Sequence, residues 1–135
     1  KKYLNPEVPK GEIIFNELCV DFTKPAILVE GVFDAIVAGE NSIPILGSTL
    51  REDSRLFQKI IENNSTVYMA LDPDATNKTN SIIEKLLRYG LKVYIIDIGG
   101  FKDVGEMTKE EFATRKENAT QITDNLSLLF TNVKF

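Results

Sequence analysis

Short apolar runs alternate with amphipathic stretches through most of the chain. Ala26-Ile27-Leu28-Val29 is a compact apolar run that ends in Glu30-Gly31, and it predicts a buried strand. Val32 to Ala38 then predicts a short helix. Ile43-Pro44-Ile45-Leu46 predicts a second strand, with Pro44 near its start where a missing N–H is tolerated. Glu52–Asn63 places Leu56, Phe57, Ile60 and Ile61 on one helical face. Thr66–Leu71 is rich in β-branched and aromatic residues and predicts a third strand. Asn77–Tyr89 gathers Ile82, Ile83, Leu86 and Leu87 on one face and stops at Gly90, a helix C-terminal signal. Lys92–Ile96 is a fourth strand, followed by a loop from Asp97 to Gly105. Two more helices are expected over about Lys109–Lys116 and Ile122–Phe130.

Strands and helices in strict alternation imply βαβ units. The expected fold class is therefore α/β, with a mainly parallel four-stranded sheet covered by helices on both faces. Residues 1–25 fall outside this pattern. They are punctuated by Pro6, Pro9, Gly11 and Pro25 and have only Ile13-Ile14-Phe15 as an apolar piece. No repeat or low-complexity stretch interrupts the chain.

Composition narrows the functional classes. With 135 residues, 43% hydrophobic and 27% charged, the chain is the size of one ordinary globular domain. No apolar stretch reaches the length of a membrane span, and no signal peptide opens it. It starts at Lys1-Lys2 rather than Met, as a processed product or an excised piece would. Sixteen basic against twenty acidic residues leave a net charge of −4. That argues against strong sequence-independent DNA binding by this segment alone, which is mostly phosphate neutralisation. A lone Cys19 leaves no internal disulfide and no cysteine-based zinc site, so a reducing, cytoplasmic setting fits best.

The candidate chemistry lies in the acids at the strand ends. Asp72-Pro73-Asp74 follows directly on the third strand. Two ionised carboxylates held close together repel and need a compensating charge. Oxygen donors, with no histidine in the chain, point to Mg²⁺ or Mn²⁺. If the backbone stays extended through Pro73, both carboxylates face the same side. Glu30 closes the first strand, with Asp34 four residues on. Asp34 alone fits a helix-capping acid as well as a ligand, and Asp74 alone fits a cap of the next helix. Lys102-Asp103-Val104-Gly105-Glu106 adds an acidic loop beyond the fourth strand; alone it reads as a solvated charged loop. Since open α/β sheets bind ligands beyond the carboxyl ends of their strands, these groups collect at one end. Together they form a candidate cage for one or two hard cations, an arrangement suited above all to phosphoryl transfer.

Taken in order, Glu30-Gly31-Val32-Phe33-Asp34, Gly47-Ser48-Thr49, Asp72-Pro73-Asp74 and Lys102-Asp103-Val104-Gly105-Glu106 resemble the successive motifs of the Toprim domain. That domain is shared by DnaG-type primases, topoisomerases, small nucleases and RecR-like repair proteins. The resemblance runs from about Ala26 to Glu106. The primase branch fits best, because Lys2-Tyr3-Leu4-Asn5-Pro6 and Leu46-Gly47-Ser48-Thr49-Leu50 also resemble primase segments. It implies a Toprim catalytic domain over 26–108, preceded at 1–25 by an arm from an upstream subdomain and followed at 109–135 by a helical extension. It implies Glu30, Asp72 and Asp74 as catalytic and metal-holding acids, with Asp34 and Asp103 supporting the cage. Lys102, Lys78, Gly31, Gly47 and Ser48 are implied on the phosphate side. Ala75-Thr76-Asn77-Lys78 departs from the small residues, Gly and Arg usual after the Asp pair, and Lys78 is the candidate replacement for that basic function. The loop acids are closer to phage primase-helicases, with Gly105 in place of Asn.

The leading expectation is thus a primase domain of phage or divergent bacterial type. It would join ribonucleoside triphosphates on a single-stranded DNA template with Mg²⁺ or Mn²⁺ and work beside a replicative helicase through further domains. A Toprim-type nuclease, in which the same cage activates water, is the second reading. A receiver-like Mg²⁺-binding module without nucleic-acid chemistry is the third; its acids normally occur in the reverse order along the chain.

Overall fold

A computed structural model describes residues 13–123. The strands are β1 (Ala26–Val29), β2 (Ser42–Pro44), β3 (Val67–Ala70), β4 (Val93–Ile95) and β5 (Thr120–Ile122). The helices are α1 (Val32–Ala38), α2 (Arg55–Glu62), α3 (Thr76–Arg88) and α4 (Lys109–Glu117), with 3₁₀ turns at Glu17–Cys19 and Val104–Glu106. The sheet order is β2-β1-β3-β4-β5; the first four strands are parallel and β5 runs antiparallel to β4. No helix among the described residues is long and apolar enough to cross a membrane.

The α/β class and the mainly parallel, helix-covered sheet are as the sequence pattern predicts. The strand count differs, being five rather than four. Ile122, expected to start a helix, instead pairs with Val93 in β5. Three residues are too short for an alternation signal, and only Ile122 of them is buried. Pairing with β4, not local propensity, makes Thr120–Ile122 extended. The rest of the expected helix through Phe130 lies outside the described residues. Pro44 ends β2 rather than opening it, which an outer strand tolerates.

Burial explains the apolar runs. Ala26 and Leu28 of β1, with Val67 and Met69 of β3, join the core under α2 and α3, where Phe57, Ile60, Ile82, Ile83 and Leu86 are fully buried. Ile27, Val29 and Ala70 point to the opposite layer, packing with Ile96, Ile98, Val104, Met107 and Phe112. Every residue of β1 is therefore apolar, as a strand covered on both faces requires. On the second face Tyr68 and Tyr94 stack with ring centres 4.8 Å apart, and the Lys116 ammonium lies 4.5 Å from the Tyr68 ring centre.

Helix α2 begins at Ser54, whose hydroxyl accepts the Phe57 N–H at 3.2 Å. Ser54→Ala removes that cap, and a loss of about 1 kcal/mol in urea unfolding is expected. Upstream, Ile14 and Phe22 are buried in the core. Asn41, in the left-handed region at φ 65°, ties the segment before β1 in place. It accepts from the Asp21 N–H at 2.7 Å and donates to the Pro25 carbonyl at 2.7 Å.

Candidate metal centre

Strand β1 connects to β2 on one side of the sheet, while β3 pairs on its other side, so the strand order reverses between β1 and β3. A crevice forms where neighbouring connections leave the carboxyl edge in opposite directions. Glu30 and Asp72 are the first acids beyond those two strands, at that reversal.

Asp72 is the most perturbed of the acids. Burial first, and then the carboxylates of Asp34, Glu30, Asp103 and Asp74, push its carboxyl up to about 6. Its Oδ1 is buried and has no hydrogen-bond partner among the described residues. Leaving an acceptor in that state costs about 1–3 kcal/mol, and more for a charge, so the position is explained poorly by folding alone. The backbone does not stay extended through Pro73. The Ala75 N–H donates to the Asp72 carbonyl at 2.9 Å, closing a turn over Pro73-Asp74 that leaves Asp74 exposed. Proline's fixed φ suits the second position of such a turn.

Glu30 is held differently. Its Oε2 accepts from the Gly47 N–H at 3.1 Å and from the Lys78 ammonium at 3.0 Å. Gly47 can present that amide because Leu46 and Gly47 both adopt positive φ, 56° and 83°. Left-handed backbone at a leucine is strained, and such strain concentrates at functional sites. The Ser48 hydroxyl accepts the Leu50 N–H at 2.9 Å and so shapes the same turn.

Asp34 is buried and engages two amides. Oδ2 accepts from the Gly31 N–H at 2.9 Å, and Oδ1 accepts from the Gly105 N–H at 2.7 Å. The first contact is a helix cap, with Asp34 three residues beyond Gly31, as its reading as a capping acid expects. The second, across 71 positions, fastens the loop beyond β4 to α1. A side chain at Gly105 would come within 3.1 Å of Asp34 Oδ1 and 3.3 Å of Asp103 Oδ1. Its bare backbone is what permits the approach. Asp103 caps the Val104–Glu106 turn by accepting the Glu106 N–H at 3.0 Å, and Glu106 accepts the Lys102 N–H at 2.7 Å. Lys102 is exposed beside them.

The structure therefore brings Glu30, Asp34, Asp74 and Asp103 within electrostatic reach of Asp72. Among the described residues, however, no group of three or more acids is arranged to hold a metal ion as it stands. The donor chemistry nevertheless suits a hard cation. It consists of carboxylate oxygens, one of them buried and unpartnered, with mutual repulsion that a divalent ion would relieve. The sequence had not revealed the Lys78–Glu30 pair, the Gly105 amide on Asp34, or a cavity of about 480 Å³ beside Asp72. That cavity lies between α3 and the β4–β5 edge, lined by Thr76, Thr79, Asn80, Ile95, Asp97 and Thr120 among others. Only the Gly31 contact of Asp34 had a local signal, a carboxylate three residues beyond the helix N-cap.

The fold is shared with part of two solved primase structures. The structure of the Aquifex aeolicus primase zinc-binding and RNA polymerase domains superposes with a TM-score of 0.67 and 24% identity, over 89% of this chain and 33% of that one. A DnaG primase catalytic domain bound to single-stranded DNA gives a TM-score of 0.68 and 18% identity, over 93% of this chain and 44% of that one. This chain thus spans between a third and a half of those proteins. No protein-family model matches the sequence, and no curated protein matches it.

Proposed function

We propose that this chain is the acid-bearing catalytic domain of a DNA primase, extending RNA primers on a single-stranded DNA template from ribonucleoside triphosphates. The observation that carries the reading is Asp72, a half-buried carboxylate with one unpartnered oxygen, surrounded by four further acids at the reversal of strand order. The primase-like fold supports it. A nuclease would use the same acids in the same ordered motifs; the primase-like Leu46–Leu50 turn and the fold shared with primases favour primer synthesis.

In this reading Glu30, Asp72 and Asp74 would hold Mg²⁺ or Mn²⁺, which when bound would supply Lewis-acid activation of a hydroxyl and charge neutralisation at phosphoryl oxygens. Asp34 keeps the Asp103 loop against α1, and Asp103 adds negative charge behind Asp72. Lys102 and Lys78 face the anionic part of the nucleotide, with the Gly31 and Gly47-Ser48 backbone leaving room for its approach. The cavity beside Asp72 has the size of a small-molecule site. The template track and any helicase contact belong to other parts of a longer polypeptide, consistent with the net charge of −4.

Primer synthesis on single-stranded DNA, assayed in the full-length protein, tests the reading. Glu30→Gln and Asp72→Asn are each expected to lower it by roughly 100-fold or more, since each removes a charge from the reacting centre. Undiminished synthesis by both variants would overturn the proposal. Release of fragments from labelled DNA or RNA with Mn²⁺, and no primer synthesis, would assign the site to the nuclease class.

A further inference from the structure

Lys78 occupies a place that helix energetics disfavour. It is the third residue of α3, where the helix dipole opposes a cation, and the first turn contains no acid to offset it. The preceding Ala75 offers no side-chain cap either. The side chain instead reaches back to β1, placing its ammonium 3.0 Å from Glu30 Oε2. Both side chains are about four-fifths buried, at 21% and 22% exposure, so the pair is shielded from solvent more than a surface ion pair is. Among the described residues it is the one ion pair in the acidic group, and the cation lies on Glu30 while Asp72 keeps a bare oxygen.

We propose that Lys78 is an internal counter-ion that occupies Glu30 until the phosphates of a nucleotide draw it away. The proposal rests on the reading of Glu30 and Asp72 as metal-holding acids and adds to it an order of assembly. An ammonium hydrogen-bonded to a carboxylate repels a divalent cation approaching the same group. Free metal alone therefore binds this chain weakly. A triphosphate carries more negative charge than one carboxylate. The flexible four-carbon stem lets the ammonium move to it while α3 stays in place. Once Lys78 has moved, Glu30 is open to metal, so nucleotide and metal bind cooperatively, each raising the other's affinity by the same factor. The device weakens metal binding to the incomplete site and relieves that weakening when substrate is present.

Binding of Mn²⁺ to the chain without nucleotide, followed by calorimetry and by the electron paramagnetic resonance of free Mn²⁺, tests this directly. Lys78→Met is expected to bind Mn²⁺ roughly three- to tenfold more tightly than the wild type, the scale of removing one partly shielded competing charge. Lys78→Arg is expected to stay near the wild-type affinity. A purely structural lysine would lower affinity or leave it unchanged on removal, so either result in a variant shown to be folded by circular dichroism overturns the proposal. Lys78→Gln provides the same comparison should the methionine variant fold poorly. Asp72→Asn separates the two levels. If it abolishes Mn²⁺ binding while Lys78→Met changes nothing, the counter-ion role alone falls. If Asp72→Asn leaves Mn²⁺ binding at the wild-type level, the metal reading falls and takes the role of Lys78 with it.

Discussion

Asp72→Asn is expected to make the metal-free protein more stable at neutral pH while removing its response to metal. Burial and the neighbouring carboxylates push the carboxyl up to about 6 in the folded chain, from the ordinary aspartate value of 3.8. A folded-state pKa raised in this way means that the native state binds the proton more tightly than the unfolded chain. Its contribution to stability is fully present below about 3.8 and is lost as pH rises through about 6. Two pKa units correspond to roughly 3 kcal/mol, and partial solvent exposure of the carboxylate reduces this to about 1–2 kcal/mol. The amide has nearly the same shape and no charge, so it avoids that loss. The variant should melt roughly 3–8 °C higher at pH 8, with the difference disappearing toward pH 4. Mg²⁺ or Mn²⁺ should raise the melting temperature of the wild type and leave that of the variant unmoved. A variant that melts no higher at pH 8 and responds to metal like the wild type would contradict both parts.

The opposite sign is expected at Asp34, although it belongs to the same acidic group. Its two oxygens accept from Gly31 and Gly105 at 2.9 and 2.7 Å. Asp34→Ala leaves both amides without that acceptor. Hydrogen bonds to a charged group contribute about 1.5–3 kcal/mol each, and repulsion of Asp72 across several ångströms offsets only part of this. A net loss of about 2–4 kcal/mol is expected, measured by urea unfolding. The Gly105 amide should also exchange with solvent faster, because the contact that fastens the loop beyond β4 is gone. Asp34→Asn is expected to lose nearly as much, since one of its two polar atoms is a donor facing another donor. Unchanged stability together with unchanged Gly105 protection would show that the loop is held by something else.

These contrasting signs show where sequence reading reaches its limit. β1, β3, α1 and α3 were legible because each carries an unbroken apolar run or a face of helical period within its own residues. β5 was not, because Thr120–Ile122 owes its extension to a neighbour more than twenty positions away. The acids were legible as a set from their places at strand ends. Their partners were not. Lys78 on Glu30 and Gly105 on Asp34 span 48 and 71 positions, and nothing in local composition records such contacts. The turn at Pro73 also separates Asp72 from Asp74 in exposure, although a two-residue alternation suggested like environments.

The flanks of the sheet have a consequence for how the protein associates. Among the described residues, β2 and β5 are its outermost strands, and each is three residues long. β2 ends at Pro44, which has no N–H to offer an incoming strand, and β5 keeps the polar Thr120 and Gln121 exposed. Short, polar or proline-terminated margins are poor templates for intermolecular strand pairing. Strand pairing between copies across these two margins is therefore disfavoured, which leaves helix faces and loops as the better surfaces for association.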